Sequence, residues 1–305
     1  MAAQIPHMIS NTGADSELSA TKATAIAETS RVAFDDLVRH YTKFQRIDLS
    51  TWRLLKDDRG VRLFQGPATK PHRVRSAYRF VTTIEGTLDE VKAHSTNLTP
   101  EDMRDTMEKY ADGILDMKVV HRIQGPWDAE PDLQILVRWY VNECPAPLHN
   151  RDFCVAEMQN GWTLPTGQRA WGLVQQSVRL KSCPDLGNAV RYQRAEMHHF
   201  GLLYVEQPNG RLEVFLHLEF DFKGFTPPSL YPYLMTRRAR SVAKINGYLQ
   251  ARRAAAYEQP AKVPFGDRRH CQYCTRKFSP LWWKVHCDGC GEVLSGDHTP
   301  RTIVD

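Results

Sequence analysis

Four of the seven cysteines in this 305-residue chain crowd together as Cys271-x-x-Cys274 and, after twelve intervening residues, Cys287-x-x-Cys290. Two close pairs of thiolates make a soft tetrahedral donor set, and the spacing suits a zinc ion as cofactor. The remaining cysteines, Cys144, Cys154 and Cys183, have no base beside them in the sequence and read as small buried apolar residues. A secreted disulfide framework would space its cysteines differently, so the usage points to a reducing, cytoplasmic setting. Glu196, His198 and His199 offer a second group, yet consecutive residues of a strand point to opposite faces, so the two histidines are not expected to share an ion. Arg151 and Asp152 splay apart for the same reason, and a structural ion pair to another strand is the expected use of their charges. No Gly-rich phosphate loop and no nucleophile elbow is present, and nothing signals catalysis, so a non-enzymatic protein is expected.

Charge narrows the partners. The net charge of +5 is too small to argue for nucleic acid. It is uneven, however: residues 237–277 carry eleven Lys or Arg against two acids, leaving the rest of the chain slightly acidic. Hydrophobic residues make up 42%, ample for a core, and the longest apolar stretches, such as Phe200 to Val205, are too short to cross a bilayer. The opening residues lack a basic start followed by an apolar run, so no secretory signal is expected.

The elements that must position these groups follow from periodicity. Residues 1–30 read as a loose leader. Phe34, Leu37, Val38, Tyr41 and Phe44 then recur at steps of three and four, a helix burying one stripe. Residues 51–66 form a hairpin candidate turning at Asp57 to Gly60, and a third strand runs to Gly86. Thr87 and Thr99 precede two acidic-started helical stretches as caps. Leu133, Ile135, Val137, Trp139 and Val141 then alternate with polar residues, as do Val214, Leu216, Leu218, Phe220 and Phe222, so an antiparallel sheet with one dry face is expected. Three further strands lie between them. A long amphipathic helix follows, its stripe marked by Leu230, Leu234, Val242, Ile245 and Leu249 with Arg237, Arg238, Arg240 and Lys244 largely outside. Pro260 and Pro264 place a linker at 257–264. The plan is an α+β fold of residues 31–256, its last helix covering the apolar side of a curved sheet, plus a small appendage at 265–305. The space between sheet and helix is either filled by side chains or kept open for an apolar ligand.

This order of elements resembles the START lipid-transfer domains. Asn150-Arg151-Asp152-Phe153-Cys154 looks like the Arg-Asp-Phe strand opening of that family. EVFLHLEFDFKGFTP, Glu213 to Pro227, is similar to its late strand ending in Asp-x-Lys-Gly-x-x-Pro, here Asp221, Lys223, Gly224 and Pro227. The resemblance covers about three quarters of the chain and implies a helix-grip fold whose tunnel encloses one lipid or other hydrophobic small molecule, carried or sensed rather than transformed. Val137, Trp139, Arg151, Leu216, Leu218 and Leu234 are the residues expected to line it. The basic outer face of the terminal helix suits peripheral contact with an anionic membrane. The alternative is a docking adaptor for a membrane or a protein, with a filled core and no ligand.

The cysteine region resembles the first half of a FYVE zinc finger in its two Cys pairs, in Phe278, and in the run His286 to Gly291. The third Cys pair of that family would start at Ser295, and no cysteine follows. Either Cys271, Cys274, Cys287 and Cys290 fold onto one zinc, or each pair holds an incomplete site that borrows His270, His286 or His298. Of the groups around the cysteine that grip a 3-phosphorylated inositol in that family, Lys284 and His286 remain, while Asp288 would repel the phosphate and the Trp-x-x-Asp element falls on Lys262 and Phe265. Phosphoinositide recognition is therefore expected to be weak or absent, and Trp282 and Trp283 either insert at an interface or pack internally.

Overall fold

The computed structural model describes residues 18–46, 51–58, 60–68, 76–96, 98–109, 111–125, 130, 132–185, 187, 192–256, 261–279, 283–287 and 290–296. Expectations concerning most of the leader, the first half of the linker, Trp282, Asp288 and His298 lie outside the described residues. The chain divides into two compact units, Met1–Leu249 and Gln250–Asp305.

The first unit begins with α1, Ala20–Arg46, which starts inside the stretch expected to be a leader. Its early turns bury Ile26, Ala27 and Ser30, a stripe of mostly small residues with little hydrophobic contrast. The hairpin β1 (Arg53–Asp58) and β2 (Val61–Gly66) and strand β3 (Ala77–Ile84) follow. Helix α2 (Leu88–Ser95) opens on a capping box in which the Thr87 hydroxyl accepts from the Glu90 N–H and the Glu90 carboxylate accepts from the Thr87 N–H. Next come α3 (Pro100–Lys109), β4 (Ile114–Gln124), β5 (Gln134–Asn142), β6 (Asn150–Thr163), β7 (Arg169–Ser177), β8 (Tyr192–Arg194), β9 (Glu196–Glu206) and β10 (Leu212–Asp221). The long terminal helix expected from the sequence is two: α4 (Leu230–Ala243) and, after Lys244, α5 (Ile245–Ala256).

Among the described residues these strands make one ten-stranded sheet in the order β1-β2-β3-β10-β9-β7-β6-β5-β4. Every pairing along that path is antiparallel, and short β8 joins β6 in parallel. The expectation of one dry face needs correction, because both faces are covered. On the inner face, Leu216, Leu218, Phe220 and Tyr204 pack with Leu234, Met235, Ala239, Ile245 and Leu249 of the terminal helices. On the outer face, Phe34, Leu37, Val38 and Tyr41 of α1 pack on Ile135, Val174, Leu203 and Phe215. Burying a Leu or Phe contributes about 1.5–3 kcal/mol, so each layer holds its helix firmly.

The outer contact depends on close approach at Gly201, where an added Cβ would lie 2.5 Å from Leu37 Cδ1. Leu37 is fully buried and has nowhere to retreat. Gly201→Ala is expected to cost roughly 1–3 kcal/mol by overpacking, read as a lower urea midpoint with unchanged slope.

The second unit holds a short 3-10 turn, Phe265–Asp267, and an antiparallel hairpin of β11 (Lys284–His286) and β12 (Val293–Ser295). Arg268 grips Glu292 with two N–H donors, Nε at 2.8 Å and Nη2 at 2.7 Å.

Candidate functional site

A hollow of about 110 Å³ lies between the inner face of the sheet and the terminal helices. Its apolar wall comes from Ile114, Leu173, Phe200, Leu202, Tyr204, Val242 and Ile245. Its polar end is a buried cluster built by adjacent strands. Arg138 of β5 donates to Glu157 of β6 through Nε at 3.1 Å and Nη2 at 3.0 Å, with both side chains 3% exposed. Gln159 and Gln175 donate to the same carboxylate at 3.0 and 2.6 Å, and the Tyr140 hydroxyl donates to Gln175 Oε1 at 3.2 Å. Burial pushes the Tyr140 phenol well up, so it stays a neutral donor. Arg238 of α4 turns inward over the Phe200 ring at 5.2 Å and Ser241 adds its hydroxyl, so the terminal helix brings polar groups to the hollow as well. The Glu157 carboxylate accepts from Arg138, Gln159 and Gln175, which fixes the cluster in place at the end of the hollow.

None of the six residues expected to line the cavity touches this hollow. Val137 and Trp139 lie on the outer face with Ile26, Cys154 and Cys183. Alternation along β5 was readable, but covering of the outer face by α1 makes the apolar side the wrong one and turns Arg138 and Tyr140 toward the ligand side. Leu216, Leu218 and Leu234 do belong to the inner layer, Leu234 lining a separate small space of about 40 Å³ with Phe220, Phe222 and Met235. Arg151 is a clamp: it donates to the carbonyls of Phe222 (2.8 Å) and Lys223 (3.3 Å) and to Thr226 Oγ1 (3.0 Å). The two passages that carried the family resemblance thus touch, the opening of β6 holding the loop that launches α4. Asp152, fully buried, takes Arg194 at 2.7 Å and Trp139 Nε1 at 2.9 Å. Cys144, Cys154 and Cys183 are all buried. Cys183 does have polar company: its thiol, hydrogen-bonded to Cys154 and near Arg194 Nη2 at 3.9 Å, is lowered.

The basic face of the terminal helices is also less open than expected, because Arg237 pairs with Glu143 and Lys244 with Asp112. The Tyr248 hydroxyl donates to Asp105 at 3.3 Å. These ties join α4 and α5 to the rim formed by α3, the start of β4 and the end of β5. A wider cleft of about 950 Å³ lies beside Arg179, Arg194 and Lys223. Its walls are polar and border residues outside the described set, so the smaller apolar hollow is the better ligand site.

Two further groups of side chains could ligate a metal: among the described residues, His40, His199 and His217 offer ring nitrogens within 4.8 Å of one another, as do the donor atoms of Glu196, His198 and Asp221. His198 and His199 do face opposite ways, each joining a different group. In the second unit, the Cys271 sulfur accepts from the Ser295 N–H at 3.4 Å. Burial opposes ionisation of that thiol, but the N–H groups of Cys274, Ser295 and Tyr273 bring it down to about 7. The four cysteine sulfurs do not form a group of three or more within 4.8 Å. Lys284 is committed to the Phe265 carbonyl at 2.7 Å, and His286 to the Val263 carbonyl at 2.8 Å with its ring stacked on Phe265. Trp283 is 85% exposed.

No family model matches the chain, and no curated protein matches it. Solved structures do. Human StAR-related lipid transfer protein 5 is 18% identical, with a TM-score of 0.52 over 74% of this chain and 98% of that one. Human STARD10 gives 16% and 0.48 over 70% and 81%, and the lipid transfer and protein localization domain of human StarD13 (DLC2) gives 19% and 0.47 over 69% and 95%. The first establishes that the large antiparallel sheet and C-terminal helices form a START-like helix-grip fold.

Proposed function

We propose that the first unit binds one amphiphilic, lipid-like molecule between its sheet and terminal helices, as a carrier or sensor rather than an enzyme. The observation that carries this reading is a buried ion pair, Arg138–Glu157, at the end of an apolar hollow. Burying two charges costs several kcal/mol each before pairing, and well-packed apolar residues generally do as well for stability, so the pair has a better rationale in recognition of a polar head. The similarity in fold to a human lipid transfer protein points the same way.

The hollow, at about 110 Å³, is smaller than the roughly 300–1,000 Å³ of small-molecule sites, so loading requires the terminal helices to part from the sheet. That motion breaks the rim pairs Arg237–Glu143 and Lys244–Asp112, each contributing only about 0–1 kcal/mol, and uncovers part of the inner-layer contact of Leu234, Met235 and Ile245. Each methylene transferred from water to the opened interior returns about 0.8 kcal/mol. Phe225 and Tyr233, 82% and 53% exposed around the start of α4, suit brief contact with a membrane during exchange. Native mass spectrometry after incubation with mixed-lipid vesicles tests the reading. One lipid mass per chain is expected, and a chain that stays empty contradicts it.

The second unit is proposed to hold one zinc on Cys271, Cys274, Cys287 and Cys290, the two pairs drawing together on the ion. Support comes from the spacing and from the N–H donors that favour the Cys271 thiolate. Its engaged Lys284 and His286 leave little for a phosphoinositide headgroup. Cys271→Ser is expected to lower zinc affinity at least tenfold, measured by competition with a chromogenic chelator. Unchanged affinity would remove zinc from these cysteines.

A further inference from the structure

Beneath α1, on the face of the sheet away from the hollow, three imidazoles meet. His40 projects from α1, His199 from β9 and His217 from β10, with ring centroids 4.3 Å apart for His40 and His217 and 5.1 Å for His199 and His217. His199 and His217 are buried and His40 is half-buried. The Nε2 of His199 is buried without a hydrogen-bond partner. Such an orphan costs about 1–3 kcal/mol, and an apolar ring would avoid that cost. The His217 Nε2–H donates to Glu219 at 3.1 Å, the arrangement in which a carboxylate orients an imidazole for ligation through its other nitrogen.

We infer that His40, His199 and His217 form a binding site for a divalent transition metal of borderline softness, zinc foremost, that ties α1 to the sheet. One nitrogen from each ring lies within 4.8 Å of the others, close enough to contract onto an ion with bonds of about 2.0–2.1 Å. Three imidazoles without a thiolate favour zinc, cobalt, nickel or copper(II) over magnesium or calcium. The site has its own gatekeeper. Arg79 donates to Nδ1 of His217 at 3.3 Å through Nε and approaches Nδ1 of His40 at 3.2 Å through Nη2. Its guanidinium also lies 3.9 Å from the Trp52 ring centroid. A cation of the protein therefore stands on two of the ligating rings, and a metal ion enters by displacing Arg79 from them. His40, the least buried ligand, marks the way in.

Equilibrium dialysis of the full-length protein against cobalt(II), with metal analysis and visible absorption, tests the site. Wild type is expected to bind one equivalent with the weak d–d bands of nitrogen ligation, separate from any equivalent with an intense sulfur-to-cobalt band. His40→Gln, chosen because that ring is only half-buried, is expected to lose the nitrogen-type equivalent and leave the sulfur-type spectrum unchanged. Arg79→Gln removes the competing cation and is expected to tighten the nitrogen-type equivalent tenfold or more. Cobalt bound through sulfur alone, or a nitrogen-type equivalent indifferent to both substitutions, would overturn the assignment. If His40→Gln does not fold, the wild-type spectrum and the Arg79→Gln shift decide it by the same criteria.

Discussion

Glu157→Ala is expected to destabilise the first unit by about 3–5 kcal/mol, because it takes away the carboxylate that accepts from Nε and Nη2 of the buried Arg138 guanidinium. Gln159 and Gln175 lose their shared acceptor at the same time. The paired substitution Arg138→Met with Glu157→Leu removes both charges and keeps apolar volume, so its stability is expected to return close to wild type. The double variant is nevertheless expected to bind lipid at least tenfold more weakly, about 1.4 kcal/mol, since the polar head has lost its partner. Urea denaturation gives the first comparison and vesicle-loading assays the second. A single-variant loss below about 1 kcal/mol would mean that the pair is effectively solvated.

Ser241→Leu is the complementary experiment. Ser241 is buried on α4 at the wall of the hollow, its hydroxyl donating to the Arg237 carbonyl within the same helix at 3.3 Å. A leucine there projects into the existing space, and filling a cavity commonly adds about 0.5–2 kcal/mol of stability. The same side chain obstructs the ligand, so loading is expected to fall tenfold or more while the thermal midpoint holds or rises. Full loading in a folded Ser241→Leu protein would place the ligand elsewhere.

How far the sequence could be read is clearest in β5. Its period of two correctly separated Leu133, Ile135, Val137, Trp139 and Val141 from Gln134, Arg138 and Asn142, yet alternation does not say which covering layer each face meets. Because α1 takes the apolar side, the ligand side carries Arg138 and Tyr140, and a charged residue in a strand looks like a solvent-facing one. Strand β4 escaped notice because it is an edge strand, half-exposed along its length and interrupted by three register shifts against β5. The start of α1 was masked by alanines and threonines. By contrast, the Thr87 cap and the β10 pattern were legible, since local hydrogen bonding and simple alternation decide them. His40, His199 and His217 are far apart in the chain, and nothing local relates them. His217 pairs with Gly201 and Glu219 with His199, so the two histidines are diagonal neighbours on β10 and β9, a relation that only the register reveals.

The central claim is the location of the ligand, and photo-labelling measures it most directly. A lipid bearing a diazirine in its acyl chain, loaded from vesicles and irradiated, is expected to mark peptides of β9 and α4 that contain Phe200, Tyr204 and Val242. Labels confined to α1 or to the exposed loop around Phe225, with the strands and α4 unmarked, would contradict an enclosed ligand and leave only surface association.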